Sequence, residues 1–295
     1  MSRFMVKCVV MGLALLGQAA PSLAQKSALP EEKKGGDPAP ETKTAGDYLR
    51  RGRYEDAIRM AKLALGRDER YVPAMVVLAK AYYNLKKFEL ATSIIDIARS
   101  VDPNNGECYN LLGFLSLQRN DQIGATSAFK KATELDANSP SAWNNLAGQY
   151  LTAKNYDSAL EAASKATALA PKFAKAQINL GSAYRGKNQY SEADHAFKQA
   201  IQLDPGQSSA YFNLGILYLD AKEMPGLELV AKLNMAINYL NRYKQAAAPI
   251  KDDPVDGYID EAKKGIEREQ KRLERLKRQQ ERDKAKGAPA PAPAK

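Results

Sequence analysis

One histidine and two cysteines in 295 residues leave little from which to build a reactive centre. A nucleophilic triad needs a histidine oriented by a third group, and a zinc site needs several His, Cys or carboxylate ligands close together. The single histidine, His195, lies between Asp194 and Ala196, with no cysteine pair nearby and no nucleophile in a strained turn. The expectation is therefore a protein that is not an enzyme and holds neither metal nor cofactor. Of the cysteines, Cys8 belongs to an N-terminal apolar stretch, and Cys108 is left without an intramolecular partner once that stretch is removed. A small buried thiol is its expected role. Long apolar runs are lacking too. The run from Cys8 to Gly17 is far shorter than the roughly 20 residues of a membrane-spanning helix.

That run has Arg3 and Lys7 before it and the small-residue exit Ser22-Leu23-Ala24 behind it, the three-part build of a secretory signal peptide at 1–24. Lipid attachment would need a cysteine directly after the run, and Cys8 stands at its front. The sequence thus predicts export to a periplasm, with no integral membrane segment after processing. Residues 25–42 are rich in Pro, Lys, Glu, Gly and Ala and read as a disordered linker. At the other end, residues 255–286 are dense in charge, with Glu267 and Lys271, and Glu274 and Arg278, placed to pair at i,i+4. Ile259, Ile266 and Leu273 recur at seven-residue steps, so this helix fits either a solvated cap or a short coiled coil broken by Glu269. An Ala/Pro-rich spacer, 287–295, closes the chain.

The net charge is +10, falling to +8 without Arg3 and Lys7. Basic residues are interleaved with acids and are not grouped with aromatics, which argues against nucleic acid. An anionic envelope polymer is the alternative partner that such a surface suits.

What the chain does have is a period. Steps of 34 residues connect Ala57, Ala91, Ala125, Ala159 and Ala193, and likewise Ala64, Ala98, Ala132, Ala166 and Ala200. Leu78, Leu112, Leu146 and Leu180 hold one apolar position, and Tyr48, Tyr82, Tyr150, Tyr184 and Tyr218 another. Pro103, Pro171 and Pro205 close units in the same phase. In the unit from Ala174 to Gln207, Gly181 is expected to face Ala193 so that two helix backbones approach closely, with Phe197 one turn further along. Such a hairpin cannot bury its apolar faces alone, but stacked neighbours can. In the sixth unit the phase slips. Ala236 and Leu240 resume the pattern nine residues late, after a break at Pro225-Gly226, which implies a long inter-helix loop.

A 34-residue period with these landmarks resembles the tetratricopeptide repeat (TPR) family. The resemblance implies an all-α solenoid at 43–247, of about six helix-turn-helix repeats winding into a right-handed superhelix, followed by the charged helix. It also implies a concave groove lined by the first helix of each repeat, where a protein partner lies as a peptide or a helix. By that analogy Asn145, Asn179 and Asn213 form an amide ladder, with Asn144, Lys175, Arg185, Lys80, Tyr83 and Phe212 around it. The family's chaperone-tail clamp needs a lysine at the fifth position, held here by Val76, Asn110, Asn144, Ile178 and Phe212. More loosely, LNMAINYLNRYKQAA resembles exported TPR proteins of bacterial gliding-motility complexes. The function these features imply is a scaffold in an envelope complex. Its alternatives are a wall- or polysaccharide-associated accessory protein and a pilus or secretin assembly factor.

Overall fold

The computed structural model describes residues 35–247 and 252–287. The stretch read as a signal peptide, 1–24, and the tail from 288 lie outside these residues. Thirteen α-helices and no strand are found among the described residues. In order they are α1 (Ala39–Arg50), α2 (Tyr54–Arg67), α3 (Val72–Asn84), α4 (Phe88–Val101), α5 (Gly106–Gln118), α6 (Gln122–Leu135) and α7 (Pro140–Thr152). They continue as α8 (Tyr156–Leu169), α9 (Ala174–Gly186), α10 (Tyr190–Leu203), α11 (Ser208–Asp220), α12 (Leu229–Ala246) and α13 (Val255–Gly287). The chain falls into two compact units that divide between Ala142 and Trp143.

The period is written into the backbone. The first helices of the full hairpins start at Val72, Gly106, Pro140, Ala174 and Ser208, each 34 residues after the last. The turns within hairpins share one geometry. Gly52, Lys86, Asn120, Lys154 and Asn188 all take positive φ, between 57° and 72°. The next residue's N–H then reaches back five positions, as from Lys87 to the Tyr82 carbonyl (2.9 Å) and from Gln189 to the Tyr184 carbonyl (2.9 Å). This left-handed cap satisfies carbonyls that the helix end would leave unpaired. Turns between hairpins are fixed by Asp68, Asp102, Asp136 and Asp204, whose carboxylates accept from the N–H two residues on at 2.9–3.1 Å.

Within each hairpin the contact is set by two facing positions. A Cβ on Gly181 would stand 2.7 Å from two ring carbons of Phe197, and one on Gly113 would stand 2.5 Å from the ring of Phe129. The ring, and not Ala193, is therefore what Gly181 admits. Where the first position carries alanine, the second is smaller: Ala79 is matched by Ile95 and Ala147 by Ala163, all fully buried. The sixth hairpin obeys the same rule across its slip. A Cβ on Gly215 would stand 2.5 Å from Leu240 Cγ.

Five of the nine extra residues lengthen the loop Ala221–Glu228 and four lengthen α12, which has 18 residues where other second helices have 14, so the packed positions stay in register. Met224 and Leu227 bridge, Gly226 takes φ +74°, and the Leu227 N–H donates to the Met224 carbonyl at 3.1 Å, a turn suited to Pro225-Gly226. Lys232, 5% exposed, donates its ammonium to the Ala221 carbonyl at the end of α11, and burial lowers its pKa.

The first hairpin differs from expectation at its start. Helix α1 begins at Ala39, inside the stretch read as linker to residue 42, because Pro40 in its first turn suits a helix entry and Glu41 is held by Arg67 of α2. At the other end α13 covers α12. Val255, Ile259 and Ala262 are buried, and a Cβ on Gly265 would stand 2.8 Å from Leu233.

Candidate partner-binding surface

In the first unit, Lys80 and Tyr83 lie on α3 and meet side chains of α5. The Lys80 ammonium pairs with Glu107. The Tyr83 hydroxyl accepts from Gln118 Nε2 at 3.3 Å, and its ring packs on Phe88 and Phe114 at centroid distances of 5.5 and 6.0 Å. Bonds between consecutive first helices show that these positions share one face. The lysine there is charge-balanced, and the tyrosine is half-buried.

In the second unit the asparagines are brought together differently from a simple ladder. The Asn179 amide nitrogen donates to both the backbone oxygen (3.1 Å) and Oδ1 (2.9 Å) of Asn144, which is buried. Asn213 donates to the Ser209 carbonyl of its own helix at 2.8 Å. Asn145 is half-buried one residue further along α7. The amide nitrogens of Asn179 and Asn213 are thus anchored within the protein, by two bonds and by one, which fixes each side chain and leaves its Oδ1 as an acceptor. A backbone N–H of an extended or helical segment is the matching donor. Lys175 is exposed on α9 and supplies positive charge, while Arg185 is bonded to Asp220 of α11 at 3.0 Å.

Phe212 belongs elsewhere. Its ring packs on Tyr243 of α12 at 5.2 Å and on Tyr258 of α13 at 6.0 Å. It anchors the C-terminal helices and, half-buried, also lines an open cleft with Ser208, Ser209 and Tyr243. Two further features were missed by sequence reasoning: the Asn144–Asn179 pair and the Arg185–Asp220 bridge. Both join residues 35 apart, one more than the repeat, a spacing that a search for polar pairs at the repeat length plus one would have found.

Cys108 is fully buried, and burial, with Asp102 second, pushes its thiol up to about 11. It is not a reactive thiolate at neutral pH. Among the described residues no cluster of His, Cys, Asp and Glu could hold a metal, and no helix is long and apolar enough to cross a membrane.

Hairpins that repeat every 34 residues, the first five closed internally by the same left-handed turn, with side-chain bonds between consecutive first helices, define a helical-repeat protein. Family models for the tetratricopeptide repeat match residues 48–113 and 124–172, and a TPR repeat model matches 181–221. The chain is a tetratricopeptide repeat protein. Among solved structures it is similar to the APC/C hetero-tetramer Cut9-Hcn1, with TM-score 0.65 and 19% identity over 77% of this chain and 43% of that one. The chain thus spans less than half the length of that relative. It is also similar to PilW, a type IV pilus biogenesis factor, with TM-score 0.58 and 21% identity over 76% of this chain and 96% of that one. A third similar structure is pilF of Pseudomonas aeruginosa, with TM-score 0.58 and 18% identity over 71% and 91% of the two chains. At such identities the likeness is one of fold. No curated protein matches the chain in sequence.

Proposed function

We propose that the chain is a non-catalytic adaptor that holds a protein partner against the first-helix face of its second unit, within a bacterial envelope complex. The observation that carries this reading is the commitment of the Asn179 and Asn213 amide nitrogens to the protein itself, which leaves two fixed carbonyl acceptors on neighbouring first helices. Acceptors held in place before the partner arrives lose little freedom on binding, and they suit any backbone that presents N–H groups. Export rests on the N-terminal pattern of charge, apolar run and small-residue exit. A motility-related complex is the finer proposal, resting on the resemblance of the Leu233–Ala247 segment.

The test is capture of partners from an envelope extract by the immobilised protein, compared with a variant carrying Asn145→Ala, Asn179→Ala and Asn213→Ala. Each lost neutral hydrogen bond costs about 0.5–1.5 kcal/mol, so binding should weaken about ten- to a thousandfold. Partner capture unchanged in a variant that melts like the parent would refute this face as the binding surface.

A further inference from the structure

We propose that the exposed part of α13, from Gln270 to Asp283, is a docking surface for an acidic amphipathic helix of a partner protein. The apolar stripe of α13 has two halves. In the first, Val255, Ile259, Ala262 and Ile266 lie on α12, and the side chain of Glu269, 12% exposed, is the last one covered. Beyond it every residue through Asp283 is exposed, a length of roughly 20 Å at 1.5 Å per residue. The stripe nevertheless continues. Leu273 and Leu276, one turn apart on the same line, are 48% and 45% exposed. The other exposed large apolar side chains, Ile123, Leu169, Leu203 and Leu229, each lie on a different helix, so this is where two of them form a patch.

Charge selects the occupant. The positions flanking the stripe are Gln270 and Lys277 on one side and Arg272 and Gln279 on the other, with no carboxylate among them. The acids Glu267 and Glu274 lie on an outer line of the helix, where they bond Lys271 and Arg278 at 2.6 Å. These intrahelical pairs hold an unsupported helix together and keep Glu267 and Glu274 off the flanks, while Glu269, on the stripe one turn before Leu273, is largely covered and neutralised by Arg272 at 2.6 Å. A second copy of this chain would set Arg272 against Lys277 in the parallel orientation, and in the antiparallel one would offer these cations only Gln279 and Gln270. A helix with leucine on its stripe and glutamate beside it would instead meet complementary charge at each flank. A polyanion without an apolar face would engage the cations but leave the leucines in water.

The experiment uses the full chain and three labelled probes, read by fluorescence anisotropy. Two are synthetic peptides of about three heptads with leucine on the stripe, one flanked by glutamate and one by lysine. The third is polyglutamate. The glutamate-flanked peptide should bind at least about tenfold more tightly than either other probe. Leu273→Asp with Leu276→Asp should lower that affinity about tenfold or more, as should Lys277→Glu, with helical circular dichroism retained. The proposal is overturned if the glutamate-flanked peptide does not bind, if polyglutamate binds as well, or if the leucine substitutions leave the affinity unchanged. Leucine-dependent dimerisation of the chain in sedimentation would overturn it equally, by naming a second copy as the occupant.

Discussion

Gln177 occupies the position held by Met75, Tyr109, Trp143 and Tyr211 in the neighbouring repeats. It is 8% exposed, and its Oε1 is buried without a hydrogen-bond partner. A buried acceptor left unpaired costs about 1–3 kcal/mol. Methionine has the same reach without the polar atoms, so Gln177→Met should raise stability by about 1 kcal/mol, read as a higher urea midpoint at unchanged slope. A lower midpoint would mean that Oε1 is satisfied in solution. The 34-residue phase aligns Gln177 with these residues, but does not show which of its atoms lacks a partner. The candidate site was legible to the same degree. Periodicity placed Asn179 and Asn213 on first helices, yet whether their nitrogens face outward depends on Asn144 and the Ser209 carbonyl, groups that the period alone does not pair with them. The ring contacts of Phe212 were not legible for a related reason. The residues that cover it, Tyr243 and Tyr258, follow the slip and belong to no repeat in phase.

At the scale of the helix, hairpin packing is a matter of volume at two positions. Gly181 gives its place to the Phe197 ring, so Gly181→Ala puts a methyl where the ring stands and should cost about 1–3 kcal/mol. The hairpin with Ala79 and Ile95 shows the compensating combination. Adding Phe197→Ile to Gly181→Ala should therefore recover most of the loss, a coupling measurable by a double-mutant cycle on thermal or urea unfolding. Simple additivity of the two changes would mean that the two positions do not share space. The helices themselves were readable from sequence, since alanines, leucines and tyrosines in phase fix where each helix turns inward. The pairing of Gly181 with Phe197 and not Ala193 was less so, because a ring of that length reaches across a turn that spacing alone assigns to the smaller residue. The slip in the sixth hairpin was legible as an insertion, and Gly215 against Leu240 shows why nine residues could be added without moving the core.

For the molecule as a whole, α13 has two roles separated near Glu269. Its first turns seal the end of the second unit, with Val255 and Ile259 buried beside Tyr211, Leu240 and Tyr243. Burying an aliphatic side chain contributes about 1.5–3 kcal/mol, so a chain ending at Pro254 should lose several kcal/mol of stability and melt at a clearly lower temperature. A chain ending at Glu269 should melt like the parent, because everything to Asp283 beyond that point is exposed. Equal melting of the two truncations would contradict the seal. The seam of Ile259, Ile266 and Leu273 was visible as a seven-residue spacing, but only the position of α12 reveals that a single seam is divided between an internal and an unpartnered half.

The matching of Gly181 with Phe197, and of Gly113 with Phe129, is confined to one hairpin in each case. A gene crossover at the aspartate turn between hairpins would carry both halves of such a pair together into its new context. A crossover at the left-handed turn inside a hairpin would split them, setting Ala147 against a phenylalanine or Gly181 against Ala163, a collision in one chimera and a void in the other. The unit that can be exchanged without such losses is consequently the hairpin and not the helix, and libraries of recombined repeats built on this chain should survive selection according to which of the two turns was cut.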